Sequence, residues 1–320
     1  MSSSNLKACT PGIRGERGIA LITVMLVLAV VTVVLVSMSS DRQMDIRRTE
    51  NQLRTSQAWE YVFGLEAWAQ SRLKSDAADN KYDADSDAWS KPLSSTQLPE
   101  GRYQAQLIDL QGRINLNNLL VEGKASDADV KLLKRLLSQL DIKPELVDAM
   151  LDWIDTDMDM RYPDGAEDET YSERSPPYRS ANSPFADVSE LLRIQGMTLN
   201  DFQKLLPYVY VADGYQPLNV NTASAVVLRT LAENIKKNQA ESIYSASGKP
   251  FEKIEDFLKD EAMSGISVDK KTLSVQSNHF LLSGQIDMGN NVLTFQSHLK
   301  RGKEGVTEVV SRMRRSLTDG

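Results

Sequence analysis

One uncharged stretch near the amino end limits what this chain can fold into more than any other feature. Ile19 to Met38 is a run of 20 residues without a charged side chain. As a helix rising about 1.5 Å per residue, it would span roughly 30 Å, the thickness of a bilayer's hydrocarbon core. The segment before it carries Lys7, Arg14 and Arg17 against the single acid Glu16. By the positive-inside rule, this predicts a cytoplasmic leader, one membrane span and an exported remainder.

The junction between leader and apolar run does not fit an ordinary secretory signal. The run is too long, and no small-x-small cleavage site follows it before Asp41. Instead Arg17 and Gly18 directly precede IALITVMLVLAVV, which resembles the leader of type IV prepilin-like proteins. The resemblance implies that a prepilin peptidase cuts after Gly18, that Ile19 becomes the N-methylated terminus, and that the apolar helix is retained. Most of these families have Glu at the fifth mature position, where this chain has Thr23. Loss of that glutamate is typical of the minor pseudopilin K of type II secretion.

The helical pattern continues beyond the membrane span. Residues 41–74 contain one glycine and no proline, and apolar residues such as Val62 and Leu65 recur at helical spacing. We therefore expect one helix over residues 19–74, roughly 80 Å long, whose distal half packs on a folded domain. The polar segment that follows, residues 75–95, is predicted to be a loop.

Alternating patterns predict a sheet that is interrupted in the sequence. Arg102 to Leu110 alternates apolar and polar residues, as a half-buried strand does. Three more alternating runs with short glycine-containing connections follow at the carboxyl end, over residues 279–288, 292–300 and 306–314. They predict an antiparallel meander. The expected fold class is α+β: a pilin-like long amino-terminal helix and an antiparallel sheet, with a large all-α domain inserted after the first strand.

The inserted region contains an internal repeat. Pro184-Phe185 aligns with Pro250-Phe251 at an offset of 66 residues, and residues 114–117 align with residues 218–221 at an offset of 104. The first copy therefore carries an insertion of about 38 residues. Each copy begins like a helix-hairpin-helix or SAM-like module.

Helix-hairpin-helix modules often bind DNA, but the part that does so is missing here. The phosphate contact needs the exposed backbone N–H groups of a Gly-x-Gly hairpin. The equivalent stretch, Ala232 to Lys237, has no glycine. The chain also has 37 basic against 44 acidic residues, a net charge of −7. We expect a packing module and no nucleic-acid partner.

One segment of the first copy is unusually acidic. Residues 152–169 hold eight acids and one base, Arg161; the acids are Asp152, Asp155, Asp157, Asp159, Asp164, Glu167, Asp168 and Glu169. So many carboxylates in a turn-rich loop repel one another unless a cation neutralises them, and Asp-x-Asp spacing suits calcium. The loop is not an EF-hand, because Met160 stands at the glycine position and Ala166 at the closing glutamate position. A calcium site is favoured, and a solvated acidic loop is the alternative.

The same loop carries the motifs through which the chain resembles a known family. Asp152-Trp153-Ile154-Asp155-x-Asp157, Gly165-Ala166-Glu167-Asp168-x-x-Tyr171 and Pro177-Tyr178-x-x-Ala181-Asn182 are similar to the central signature of the type II secretion minor pseudopilin K family, GspK. That resemblance implies calcium, as one or two ions, bound in this insertion. Matched residue by residue, it assigns the ligands to Asp155, Asp157, Glu167 and Asp168, and further to Asp152 and Asn182.

The resemblance also implies a role. Such a pseudopilin sits at the tip of the periplasmic pseudopilus, helps to initiate its assembly and serves export of folded proteins across the outer membrane. The implied partners are the minor pseudopilins I, J and H, the prepilin peptidase and the inner membrane, which the chain crosses once, with its carboxyl-terminal domain in the periplasm. Thr23 lacks the carboxylate thought to pair with a neighbour's terminal amine, and the bulky insertion would obstruct stacking. Both features favour the tip.

Enzymatic function is the weakest hypothesis. The sequence has no Gly-x-Ser-x-Gly elbow and no phosphate-binding glycine loop, and its one cysteine, Cys9, lies in the leader. The histidines are His279 and His298, which fall inside predicted strands. The alternative to a pseudopilin is a single-pass periplasmic receptor that binds DNA or protein through the repeats and keeps its leader.

On the favoured interpretation the chain has five parts. They are the leader (1–18), the transmembrane helix (19–40), the stalk helix with loop and first strand (41–112), the inserted α-helical domain (113–273, with the acidic loop at 152–183), and the carboxyl-terminal meander (274–320).

Overall fold

The structure, a computed structural model, describes residues 16–98, 101–245, 249–289 and 291–315, so most of the predicted leader, with Cys9, lies outside the described residues. Its α-helices are α1 (Glu16–Asp79), α2 (Asp127–Gln139), α3 (Leu146–Ile154), α4 (Asp168–Ser172), α5 (Leu199–Leu205), α6 (Ala225–Leu228), α7 (Lys237–Ser245) and α8 (Ile254–Leu258). Its strands are β1 (Leu93–Leu98), β2 (Gly101–Asp109), β3 (Ile114–Asn115), β4 (Leu120–Val121), β5 (Lys124–Ala125), β6 (Val209–Tyr210), β7 (Leu218–Asn219), β8 (Leu273–Ser274), β9 (His279–Met288), β10 (Asn291–Arg301) and β11 (Thr307–Arg315). Short 3-10 helices lie at Leu116–Leu119, Val188–Arg193, Leu206–Tyr208, Glu261–Met263, Lys270–Thr272 and Lys303–Gly305. The chain divides into two compact units; one ends at Gln57 and the other begins at Ala58.

Helix α1 confirms the predicted long helix and extends it at both ends. Its side chains over residues 19–57 are mostly exposed, including the whole apolar run. A buried stripe begins at Ala58 and continues with Val62, Leu65, Ala69 and Leu73. These positions are three or four residues apart, so they lie on one face of the helix. The distal half therefore packs on a domain, as the pattern predicted.

The main sheet is antiparallel in the order β1-β2-β9-β10-β11. Four of these strands match the predicted runs closely. Strand β1 was not predicted, and the interpretation of its first three residues, Leu93 to Ser95, as loop is wrong. The sequence of β1, Leu-Ser-Ser-Thr-Gln-Leu, is largely polar, and the strand lies at the edge, with a register irregularity between Leu93 and Thr96. Its place is specified by hydrogen bonding to β2 rather than by burial. The helical insertion consequently follows the second strand of the sheet.

One face of this sheet packs on α1. Leu107, Phe280, Leu282, Phe295 and Leu299 are essentially inaccessible and share a core with the α1 stripe and Trp89. Each such side chain contributes about 1.5–3 kcal/mol through its removal from water.

Glu66 adds a buried charge to this core. It accepts hydrogen bonds from Ser297 Oγ at 2.6 Å and from Arg312 Nε and Nη2 at 2.7 and 2.8 Å. The Arg312 guanidinium also covers the Phe63 ring at 5.2 Å. The arginine of β11 thus ties the edge strand to α1.

The inserted region has a core of its own and shows the predicted repeat in three dimensions. In the first copy, Asn117 donates to Phe185 O at 3.0 Å and accepts from Phe185 N at 2.8 Å. In the second copy, Asn221 does the same with Phe251, also at 3.0 and 2.8 Å. Parallel pairing of β3 with β6 is likewise repeated by β7 with β8. One carboxamide thus joins the start of each copy to its Pro-Phe turn.

Asp109 lies where the insertion joins the sheet. This fully buried carboxylate, at the end of β2, accepts from Thr222 Oγ1 and Ser277 Oγ, both at 2.6 Å, and from Asn219 Nδ2 at 3.0 Å. Gln111 N completes its shell at 2.8 Å. Burial raises the pKa of Asp109 to about 6.

The two histidines lie in neighbouring strands, as predicted. His279 Nδ1 is 2.9 Å from His298 Nε2, and burial lowers the pKa of His279 to about 3. The pair is therefore neutral and belongs to the packing between the sheet and Tyr210 of the insertion.

Candidate metal site

The acidic segment forms a loop that is closed at its base by Asp152. This residue lies in the last turn of α3 and is completely buried. Its Oδ2 accepts from Arg161 N at 3.1 Å and Ala166 N at 2.9 Å, and its Oδ1 accepts from Arg161 Nη1 at 2.7 Å. Gly165 is required here, since a Cβ at this position would lie 2.1 Å from Asp152 Oδ2. Asp152 therefore shapes the loop, and its oxygens are already engaged by protein donors.

Three carboxylates converge inside this loop. One oxygen each of Asp155, Asp157 and Glu167 lies within 4.8 Å of the other two. Asp155 follows the end of α3 in extended backbone, and Glu167 directly precedes α4. The loop thus brings together residues from its two ends. The Asp-x-Asp spacing alone accounts for Asp155 and Asp157 but not for Glu167.

Two of these three groups, Asp155 and Glu167, are buried carboxylates that could hold a cation. Asp155 Oδ1 and Glu167 Oε1 are buried and have no hydrogen-bond donor among the described residues. Burial, reinforced by the charges of Asp152 and Asp155, raises the pKa of Glu167 to about 7. Burial also raises the pKa of Asp155, although its hydrogen bond from Arg161 opposes the rise. Unpaired buried carboxylate oxygens are costly, and a hard divalent ion is the partner that such oxygens suit.

The remaining predicted ligands lie at the edge of this cluster. Asp168 Oδ1 accepts from Ser180 N at 2.9 Å, as the first residue of α4. Asn182 has a left-handed backbone, with φ of 43°, and its Oδ1 contacts the Ser180 hydroxyl. That hydroxyl also lies 3.3 Å from Glu167 Oε2. Of the six predicted ligands, Asp155, Asp157 and Glu167 are brought together, Asp152 supports the loop, and Asp168 and Asn182 connect through Ser180.

Sequence reasoning missed two residues of the site. Ser180 links Glu167 to Asn182, and a lone serine gives no pattern that would mark it. Arg161 donates to both Asp152 and Asp155, and its position as the only base among eight acids was a usable signal. It neutralises part of the charge and leaves Asp155 Oδ1 free.

The aromatic residues of the signature form a wall beside the loop. The ring centroid of Trp153 is 5.3 Å from that of Tyr171, which is stacked 5.3 Å from Tyr178. Trp153 Nε1 donates to Glu190 Oε2 at 3.1 Å. These residues hold the loop against the domain, so the signature combines packing residues with candidate ligands.

Comparison with known proteins identifies the family. Two family models described as type II secretion system protein K match residues 112–214 and 218–276, which coincide with the two copies of the repeat. The type II secretion system protein K of Pseudomonas aeruginosa is 37% identical over 311 residues, covering 93% of each chain. The chain belongs to the type II secretion system protein K family. The protein K of Klebsiella pneumoniae is 31% identical over 294 residues, covering 86% of this chain and 89% of that one.

The fold of this chain is similar to that of a solved protein K structure. The match is to the crystal structure of the GspK–GspI–GspJ complex from enterotoxigenic Escherichia coli, with a TM-score of 0.75 and 28% identity. It covers 84% of this chain and 99% of that one. Protein K is a minor pseudopilin, a structural component of the secretion system, and the predicted pilin-like α+β fold is confirmed.

In the described part of the chain, one helix is long and apolar enough to cross a membrane. The apolar stretch of this helix is exposed and packs against no other part of the described chain. This agrees with the predicted single-pass anchor.

Proposed function

We propose that this protein K is the tip subunit of the type II secretion pseudopilus, where it acts by assembly rather than by catalysis and helps to initiate filament growth. The match to a GspK–GspI–GspJ complex carries the proposal. Two features of the chain support the terminal position. Thr23 replaces the glutamate at the fifth mature position, and the helical insertion adds bulk that a stacked subunit would meet.

The partners proposed for this chain are minor pseudopilins I and J, with H joining the same complex. The test is co-expression of the full chain with I, J and H of its own system, extraction in nonionic detergent and affinity purification through I. Protein K should be recovered with I and J. When the major pseudopilin is expressed in place of K, it should not be recovered with them. Recovery of an I–J–H complex that excludes K would overturn the assignment.

The terminal position can be tested directly because the mature chain has no cysteine. Ser264 is exposed on the insertion, and a Ser264→Cys chain labelled with maleimide–gold should mark one end of each pseudopilus. Label along the filament length would contradict the proposal. In a Thr23→Glu background, restored pairing with a neighbour's terminal amine should allow some label at internal positions.

Processing is the second part of the proposal. The prepilin peptidase of the inner membrane would cut after Gly18 and leave an N-methylated Ile19, with the apolar helix anchoring a periplasmic domain. Intact mass and amino-terminal analysis of the chain from native membranes should give a start at methylated Ile19. Gly18→Leu should keep its leader, whereas Gly12→Leu, in the same leader, should be cut normally. An unmodified start at Met1 in the wild type would instead favour the periplasmic receptor.

Calcium binding is the third part. The unpartnered oxygens of Asp155 and Glu167 support one ion in the cluster. A ligand present at 100 times its dissociation constant stabilises a protein by about 2.7 kcal/mol, so calcium should raise Tm relative to chelator. Asp155→Asn and Glu167→Gln should each abolish that rise, while Glu169→Gln, a loop acid outside the cluster, should retain it. An equal Tm in calcium and chelator would establish the solvated loop, and magnesium serves as the comparison ion.

A further inference from the structure

A groove on the inserted domain carries positive charge that the proposed function does not use. It encloses about 350 Å³, and the charged residues lining it are Lys131, Lys134, Arg135, Arg229 and Glu233. Four cations against one acid stand out in a chain whose net charge is −7. We infer that this groove binds an acidic segment of a partner protein, whichever place in the pseudopilus the chain takes.

The two copies of the repeat build the groove together. Lys131, Lys134 and Arg135 lie at i, i+3 and i+4 on α2 and so share one face of that helix. The opposite wall is the segment after α6, which begins with Arg229. Arg135 Nη1 donates to Thr230 O at 3.0 Å across the gap, which fixes the guanidinium between the two walls. Three of the cations are therefore held on a helix, and Arg229 lies in the turn directly after α6.

Part of this charge is not compensated within the chain. Lys134 pairs with Asp148 at 2.9 Å, and Arg135 lies 3.6 Å from the highly exposed Glu233. Lys131 and Arg229 are exposed, and neither has an ion-pair partner among the described residues. Two cations are thus available to a ligand. At physiological salt the Debye length is about 8 Å, so a ligand in the groove responds to these charges and not to the distant acids.

The lining chemistry selects carboxylates on a protein over phosphates on a nucleic acid. Ala232 and Ile235 are buried beneath the groove, so a ligand there meets chiefly the charged and polar side chains around them. Stacking of bases needs aromatic side chains, and the lining residues include none. The connection from Ala232 to Lys237 also lacks the glycines of a phosphate-binding hairpin. Arg229, which has no ion-pair partner among the described residues, can bind a carboxylate through paired N–H donors.

The test uses the full chain in nonionic detergent and fluorescence anisotropy. The probe is a fluorescein-labelled decapeptide of alternating Glu and Ala, with the Gln–Ala decapeptide as its uncharged match. The groove variant is K131E/R229E, which reverses the two unpaired cations. The control variant is K253E/K303E, which makes the same net charge change at two exposed lysines outside the groove. Circular dichroism melting of all three proteins confirms that each is folded.

We expect the acidic peptide to bind in 50 mM salt, at least tenfold more tightly than the Gln peptide. The K131E/R229E chain should lose at least tenfold in affinity, while K253E/K303E should stay within twofold of the wild type. Equal binding of the two peptides, or equal losses in the two variants, would overturn the inference. If a single-stranded oligonucleotide of the same charge binds more tightly and the groove variant loses it, the surface is a nucleic-acid site and the proposal is wrong.

Discussion

At the scale of single residues, buried carboxamides hold the inserted domain in shape. Asn117 and Asn221 each pair both side-chain groups with the backbone of one phenylalanine, Phe185 and Phe251 respectively. The sequence alignment of the copies placed these asparagines at equivalent positions but did not indicate what they bind. Their actual partners lie 68 and 30 residues away, and no local pattern encodes a contact at that distance.

We predict that Asn117→Ala lowers the free energy of unfolding by about 3 kcal/mol and Asn221→Ala by about 2 kcal/mol, because each leaves a backbone N–H and C=O unpaired. The loss is larger at Asn117, whose Nδ2 also donates to Ala212 O at 3.2 Å. Chemical denaturation checks both values. The control is Asn234→Ala, an exposed asparagine with a single bond to Gly265 O, which should cost less than about 1 kcal/mol. Equal losses at all three sites would show that the paired amides are not special.

Asp109 gives a prediction with a definite pH direction. Its pKa in the folded state is about 6, above its ordinary value of 3.8, so the folded state keeps a proton that the unfolded state has released. This contribution is fully present below about pH 4 and is lost as the pH rises through 6. Between pH 4 and 7, the free energy of unfolding of the wild type should fall relative to that of Asp109→Asn by about 2 kcal/mol. Urea denaturation over this range measures the difference, and parallel pH profiles would contradict the assignment.

At the scale of elements, the sequence best predicted those helices and strands whose buried residues recur at a regular spacing. The α1 stripe and strands β2, β9, β10 and β11 alternate or recur with a clear period, and all of them were predicted. Strand β1 was not, because its pairing with β2 leaves no mark in an apolar pattern. The candidate metal loop lies between these cases. Its acids were visible in the sequence, yet which three converge depends on the path of the backbone around Asp152.

The basic carboxyl end also makes a contact that leaves no pattern in the sequence. Nothing in the sequence around Arg312 indicates a buried partner, yet this residue binds buried Glu66 from strand β11. We predict that Arg312→Ala lowers the free energy of unfolding by about 3 kcal/mol, because it leaves a buried carboxylate without its counter-charge. The matched comparison is Glu66→Met/Arg312→Leu, which removes both charges and should recover most of the loss. Thermal denaturation of both variants decides the point, and a double variant no more stable than Arg312→Ala would show that packing and not charge is responsible.

At the scale of the whole molecule, the strand order shows that the helical domain is inserted between two strands that pair as a hairpin does. β2 and β9 are neighbours in the sheet although more than 160 residues separate them, and Asp109 lies opposite Phe280. The buried residues of the pilin-like core come from α1, the segment that follows it and the sheet. Those of the inserted domain come from residues 114–273. Each part therefore has its own core, and Asp109 is one of the polar links between them.

This arrangement predicts that the pilin-like part folds without the insertion. Leu110 N donates to His279 O at 3.0 Å, so these residues already face each other as the last pair of a hairpin does. Replacing residues 111–278 by Asn-Gly should close β2 onto β9 through a two-residue turn. The shortened chain should unfold cooperatively and protect the amides of β2, β9 and β10 from hydrogen exchange.

Its Tm should fall below that of the full chain, because Leu281 loses its contacts with Tyr210 and Ala212. Adding Phe295→Asp to the shortened chain should abolish folding, since that residue is buried in the core that remains. A shortened chain without cooperative unfolding would mean that the sheet depends on the insertion, and the Asp109 network would then be a requirement for folding rather than a link between two folded parts.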